Sequence, residues 1–234
     1  TVEGSNTLTR SLIIFGQGIN KSHPFIYPVL DSILNNDINK FSKEFNNLLS
    51  HSISLYFKSF AYKNSLEQQV INFANLTNFV ALKGGKIKKE QMLSGLMSDI
   101  FSNLYLAISV QYYQNLNKTS EKLSNYIIDK LVNENQNKIN TVINNLGNEK
   151  YLLNHMKFSP VYLDFKAERD IFHEIISNPS IIDEIKKDIF LEKGILKTFN
   201  EIREIHINHP NYNQFKEKII NVDEFKCIEK KNRN

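Results

Sequence analysis

The apolar residues of this chain recur at three- and four-residue intervals, and little interrupts them. Leu8, Leu12, Phe15 and Ile19 fall at i, i+4, i+7 and i+11, which is one face of a helix and not the alternation of a half-buried strand. The 234 residues include only 8 Gly and 5 Pro, so few positions force a turn or forbid a helix. The spacing predicts an all-α helical bundle, and 41% hydrophobic content suffices for a real core.

The punctuation divides this pattern into elements. The glycines of "GQGINKSHP" (16 to 24) are expected to end the first helix, with His23-Pro24 restarting the chain. A second helix is predicted from Pro24 to Leu34. Asp37 can cap a longer one, with Ile38, Phe41, Phe45, Leu48, Phe57 and Phe60 on its apolar face. The stretch from Leu66 to Leu82 reads as helical with Val70, Phe73, Ala74, Phe79 and Val80 inward, and "KGGK" (83 to 86) ends it in a turn. From Lys89 to Gln114 an amphipathic pattern runs through Leu93, Leu96, Ile100, Leu104, Ala107 and Ile108. Thr119 or Ser120 caps the next helix, through Leu123, Ile127, Leu131, Ile139 and Val142, with its many Asn residues on the outer face. The pattern blurs between 147 and 164. It returns at Ala167–Ile176, Ile181–Leu191, Ile195–Ile205 and Tyr212–Ile220. No internal repeat and no long linker is visible.

Composition removes several classes of function. Net charge is only +4 with Lys and Arg spread along the chain, so no arm for nucleic-acid phosphates stands out. The single cysteine, Cys227, cannot build a disulfide framework or a thiolate zinc site and suits a reducing cytoplasm. No apolar run approaches the roughly 20 residues of a membrane helix, and no signal peptide is visible. His206 and His209 stand at i, i+3, but Pro210 follows directly, so the expectation for metals is none. "KGGK" lacks the strand that precedes a phosphate loop, and no GxSxG elbow occurs.

Glu3 carries two readings. In one it is an acid near a helix N-terminus, worth a few tenths of a kcal/mol with the dipole. Ser5 or Asn6 would then be the N-cap, after a backbone bend at Gly4. In the other, a carboxylate on that Gly-containing bend projects beyond the helix. Enclosed in an apolar site it would be a useful general base.

"VEGSNTLTR" (2 to 10) resembles the motif of the acyl-CoA dehydrogenases, Tyr-Glu-Gly-Thr, two variable residues, then Ile-Gln-Arg. Glu3, Gly4 and Arg10 match it, Ser5 and Leu8 are conservative replacements, and Val2 and Thr9 depart from it. The longer string through "FGQG", with "HPF", "LSGLMSDIFSNLYLAISV" (93 to 110) and "NVDEF", is similar to the large bacterial fatty-acyl-CoA dehydrogenases with an appended C-terminal helical domain. The resemblance is dense in the first 25 residues and around 93 to 110, and sparse from 119 to 220. Lys21 stands where an Arg is expected.

The resemblance implies that Glu3 removes the α-proton of a fatty acyl-CoA while the β-hydride passes to FAD, giving a trans-2-enoyl-CoA in fatty acid β-oxidation. Gly4 would lie against the substrate; Ser5, Asn6 and Thr7 would face the FAD at the helix start; Arg10 would be structural. Residues 1–22 would end the catalytic domain and 23–234 would form the appended domain, with the flavin- and CoA-holding domains upstream, so this piece alone would be inactive. Its implied partners are an electron-transfer protein and further copies of itself, in the cytoplasm or peripheral to the inner membrane. The alternative is a non-catalytic helical module for interaction or oligomerisation.

Overall fold

The structure, a computed structural model, describes residues 2–61, 65–117, 119–158, 165–187 and 197. Residues 1–174 and 175–234 form two compact units. Among the described residues every regular element is helical. The expected segments 195–205 and 212–220, the pair His206 and His209, and Cys227 lie outside the described residues, apart from Lys197.

The chain opens with a continuous helical rod: α1 (Val2–Leu8), a π-helical segment (Thr9–Gln17) and α2 (Gly18–Ser22). The glycines at 16 and 18 do not end it, contrary to the sequence expectation. Gly18 is helical, and its N–H reaches back to the Ile13 carbonyl in the i−5 pattern of a π-helix. The break comes at His23, whose extended ψ of 126° is what a following proline imposes. The wider winding also offsets the apolar stripe. Ser11 and Phe15 are buried, Leu12 and Ile19 are half-buried, and Leu8 is exposed.

A helical hairpin follows, α3 (Ile26–Leu34) and α4 (Ile38–Lys58). Asp37 caps α4 as its sequence position suggests, accepting a hydrogen bond from the Lys40 N–H at 2.9 Å, and Asn36 takes the left-handed φ of 53° in the turn. Replacing Asp37 with Ala removes that acceptor, and urea unfolding should register a loss of about 1 kcal/mol; an unchanged midpoint would mean α4 does not unfold with the rest. The surprise is α4 itself. None of its 21 residues is buried, so the face containing Phe41, Phe45, Leu48 and Phe57 is not core.

The core instead gathers around α5 (Ser65–Ala81), α6 (Gln91–Asn117) and α7 (Glu121–Asn144). Gly84, at φ +54°, ends α5 in a left-handed turn, followed by one short 3-10 stretch (Gly84–Lys88). Leu76, Met97, Ile100, Ile139 and Ile143 are fully buried here. On α7 the inward stripe begins one residue off the expected one, at Ile128 and Val132, and rejoins it at Ile139 and Val142. Ser120 caps α7 by accepting from the Leu123 N–H.

Polar groups enter this core where the periodicity did not place them. Asn135, expected on an outer face, is fully buried and bridges α6 and α7: its Nδ2 donates to the Ile100 carbonyl and its Oδ1 accepts from Asn103. Gln69 on α5 donates to the Val132 carbonyl at 2.7 Å. The blurred stretch resolves into α8 (Lys150–Leu153) and a 3-10 turn (Asn154–Met156). Asn140 then holds Phe158 at both backbone groups, each at 2.9 Å. α9 (Phe165–Ser177) returns to α7 through Tyr126–Glu168 and Ser120–Glu174 hydrogen bonds. α10 (Ser180–Lys186) lies in the second unit.

One expectation about membranes is corrected. By length and composition α6 could cross a bilayer. Its Leu93, Met97, Ile100, Leu104 and Ala107 are nevertheless buried within the bundle, as in the core helix of a soluble protein, so no membrane span follows.

Candidate functional site

The residues expected to carry chemistry sit on the first helix. Glu3, Gly4, Ser5, Asn6 and Thr7 are all exposed within α1. The bend expected at Gly4, and the N-cap expected at Ser5 or Asn6, are both absent, because residues 2–8 wind as one helix. Gly4 has no positive φ and a Cβ built there meets nothing within 4 Å, so among the described residues its lack of a side chain relieves no contact. Glu3 is a solvent-facing carboxylate on a helix.

What fixes this helix in place lies seven residues further on. Arg10 grips Asp99 of α6 with both arms of its guanidinium, Nε donating to Oδ1 at 2.7 Å and Nη2 to Oδ2 at 2.6 Å. The pairing raises the Arg10 pKa, chiefly through that hydrogen bond. The guanidinium lies directly over Gly95, where a Cβ would come within 3.0 Å of Nη1. The Ser98 hydroxyl also donates to the Arg10 carbonyl. With the Arg10 side chain 52% exposed, solvent screens the pair and its contribution is at most about 1 kcal/mol; its value is geometric, since a bidentate pair sets orientation. A Gly95→Val change should therefore displace Arg10 and loosen the rod. Faster amide hydrogen exchange over residues 2–22, with α7 unchanged, is the expected result; unchanged exchange would show that Gly95 plays no such part.

Sequence reading identified Arg10 as structural but missed its partners. The signals were present: Asp99 is the only charged residue in the 27-residue α6, and a glycine inside a helix costs about 1 kcal/mol against alanine, which suggests a close approach. The two stretches that carry the family resemblance most densely are thus the two that meet here.

A second feature has no counterpart in the sequence reading. Between the rod, α3, α4 and α5 lies a cavity of about 1020 Å³, with Leu12, Leu30, Leu49, Ile53, Phe57 and Phe79 among its walls. At its margin His23 forms a hub. Its Nδ1 accepts the backbone N–H groups of Phe25 and Ile26, both at 3.2 Å, so Nε2 carries the proton and donates to Asn78 Oδ1 at 3.0 Å. The His51 ring lies 5.7 Å away.

Burial is the first cause that lowers the His23 pKa below its ordinary 6.5, with His51 adding to it and the Asn78 hydrogen bond opposing. The unfolded chain then binds more protons than the folded one between the two values. Stability is full above about 6.5 and is lost as pH falls toward the folded value. Urea midpoints should drop from pH 8 to pH 5, and the drop should shrink in His23→Gln. His51 and His155, both also lowered by burial, retain the remainder. A pH dependence unaltered by the substitution would contradict this account of His23.

Among the described residues no group of His, Cys, Asp or Glu could hold a metal ion. The fold is therefore an all-helical bundle domain carrying, on a helix clamped to its core, an exposed Glu-Gly-Ser segment. The sequence model described as acyl-CoA dehydrogenase, C-terminal, bacterial type matches residues 57–220, and the chain belongs to that family. No solved structure matches the chain.

Proposed function

We propose that this chain is the C-terminal part of an FAD-dependent acyl-CoA dehydrogenase that converts fatty acyl-CoA to trans-2-enoyl-CoA, with Glu3 as the α-proton base. One observation carries the reading. The Glu3-to-Arg10 motif precedes the matched residues, yet Arg10 is clamped to Gly95, Ser98 and Asp99, all inside them. The motif is therefore fixed to the part of the matched stretch that lies in the first unit. Residues 1–22 would close the catalytic domain and the remainder would be its appendage.

The chemistry explains the residue types. A proton α to a thioester is weakly acidic, so its removal needs a carboxylate held in fixed aim. The Arg10 clamp supplies the rigidity and α1 the direction. Gly4 leaves space beside Glu3 into which no other group among the described residues projects, which suits close passage of a substrate. Ser5, Asn6 and Thr7 supply hydroxyls and an amide, a donor set that fits hydrogen bonding to the phosphate or ribityl groups of FAD. When bound, FAD would accept the β-hydride. Raising the basicity of Glu3 requires that water be excluded from it, and that closure must come from outside the described residues.

The 234-residue chain by itself should neither hold FAD tightly nor oxidise an acyl-CoA. Joined to a flavin-binding region it should exchange the α-proton of a bound acyl-CoA with solvent deuterium. Dehydrogenation by the chain alone, or a joined protein in which that exchange never occurs, would defeat the reading.

A second reading, a surface for self-association, draws on α6. Phe101, Tyr105, Ile108 and Tyr112 are exposed at heptad spacing, and no charge occurs on this helix after Asp99. Sedimentation over a hundredfold dilution, with Tyr105→Glu as the comparison, tests it: association lost in the variant supports it, and a monomer at every concentration rejects it.

A further inference from the structure

The α3–α4 hairpin is the part of the first unit that the core does not hold. No side chain from α3 or α4 belongs to the buried cluster that unites α5, α6 and α7. Val29 and Ser32 are buried apart from it, and nothing on α4 is buried. Among the described residues, every hydrogen bond from 25–61 to the rest of the unit ends on His23, Leu152 or His155. A segment with little burial and few ties opens before the rest. We propose that His23 is an acid-released latch: a proton on its Nδ1 uncaps α3 and frees the α3–α4 hairpin, while the last turn of α4 stays on His155.

The two joints answer a proton in opposite ways. His23 Nδ1 accepts from the backbone N–H groups of Phe25 and Ile26, and so does for the start of α3 what a capping side chain does. Nε2 already donates to Asn78 Oδ1. A second proton has only Nδ1 to occupy, where it meets two donors and no acceptor. It also sets a cation against the positive end of the nine-residue α3. At the other joint, His155 Nδ1 lies 2.9 Å from the Leu152 carbonyl and Nε2 lies 2.7 Å from the Ser59 hydroxyl. The hydroxyl's own proton has the Tyr56 carbonyl at 2.6 Å. An imidazolium there finds an acceptor for each N–H, and the Phe60 ring stacked on it at 3.8 Å favours a cation.

The neighbours of His23 do not offset its charge. His51 of α4 lies 5.7 Å from it, and Lys58 acts on His51. Lys21 of α2 sits over the Tyr27 ring of α3, and α5 contributes the neutral Asn78. Asp31 of α3 is engaged by Lys40 at 2.7 Å. Burial first, and His51 after it, hold the His23 pKa of the closed hairpin below 6.5. The sign follows: the open hairpin binds a proton that the closed one refuses, so opening grows as pH falls. Glu3 and flavin take no part, so the latch is tested apart from the dehydrogenase reading.

The test is amide hydrogen exchange of the full 234-residue chain between pH 8 and pH 4.5, corrected for the intrinsic pH dependence of exchange. Exchange over 26–58 should rise by up to about tenfold per pH unit below about 6.5. At every pH it should run well ahead of exchange over α7, which marks a local opening. His23→Gln cannot take up the proton and should lose the rise; His51→Phe keeps a ring against Phe25 and should retain most of it. Hairpin and α7 exchanging together, no rise on acidification, a rise undiminished in His23→Gln, or its loss in His51→Phe would overturn the latch. If the Gln variant is open already at pH 8, the NMR titration of the His23 ring in the unaltered chain decides. A midpoint below 6.5, where the rise levels off, supports the latch, and a midpoint at or above it overturns the latch.

Discussion

Glu3→Gln, made in a polypeptide that includes the flavin-binding region, should lower acyl-CoA dehydrogenation by on the order of 10³-fold. The amide keeps the shape of the carboxylate but cannot take up the α-proton, so the loss falls on the chemical step and not on binding. A factor of that size corresponds to about 4 kcal/mol of activation free energy. Substrate and flavin affinities should be retained while solvent exchange of the α-proton disappears. Because Glu3 is exposed, the same change should move folding stability by no more than about 0.5 kcal/mol, which separates a lost base from a damaged fold. Turnover within a few-fold of the unmodified protein would remove Glu3 from the mechanism.

Ile139→Ala should be among the most damaging single truncations in the first unit, at about 3 kcal/mol. Ile139 is fully buried on α7 within the cluster that unites α5, α6 and α7, so its removal leaves a cavity that neighbouring helices cannot collapse to fill. For a unit of this size that lowers the melting temperature by roughly 10 °C. Phe45→Ala removes a larger side chain from α4, where 46% of it is already exposed, and should cost less than about 1 kcal/mol. The two measurements together test where the core lies. A Phe45 variant as damaged as the Ile139 variant would show that α4 packs more tightly than the structure places it.

That contrast marks how far the sequence could be read. Phe45 and Ile139 both occupy positions on an apolar helical stripe, and periodicity alone ranks them alike. The stripe says which side of a helix avoids water; it does not say whether a neighbour is close enough to exclude water. On α7 Ile128 and Val132 are buried while Ile127 and Leu131 are only half-buried, Leu131 packing against the edge of the core, and the expected stripe is fully buried at Ile139 and Val142. Asn135 is of a type usually solvated, yet partners on α6 satisfy it inside. The candidate site shows the same division. Glu3, Gly4 and Arg10 are legible as a motif, whereas Asp99, 89 residues from Arg10, left only the signal of a solitary charge in an apolar helix.

The sequence by itself determined the helices, most of their ends and the caps at Asp37 and Ser120, because each depends on hydrogen bonds reaching no further than about four residues. It also placed a carboxylate, a glycine and an arginine at the spacing of a known family motif. Only the tertiary structure decided that Arg10 locks that motif to α6, that the rod winds on past two glycines, and that α4 stands off from α5 across an apolar slot. Those outcomes depend on which distant surfaces meet and how closely, a balance of burial and polar pairing summed over the unit that no local window contains.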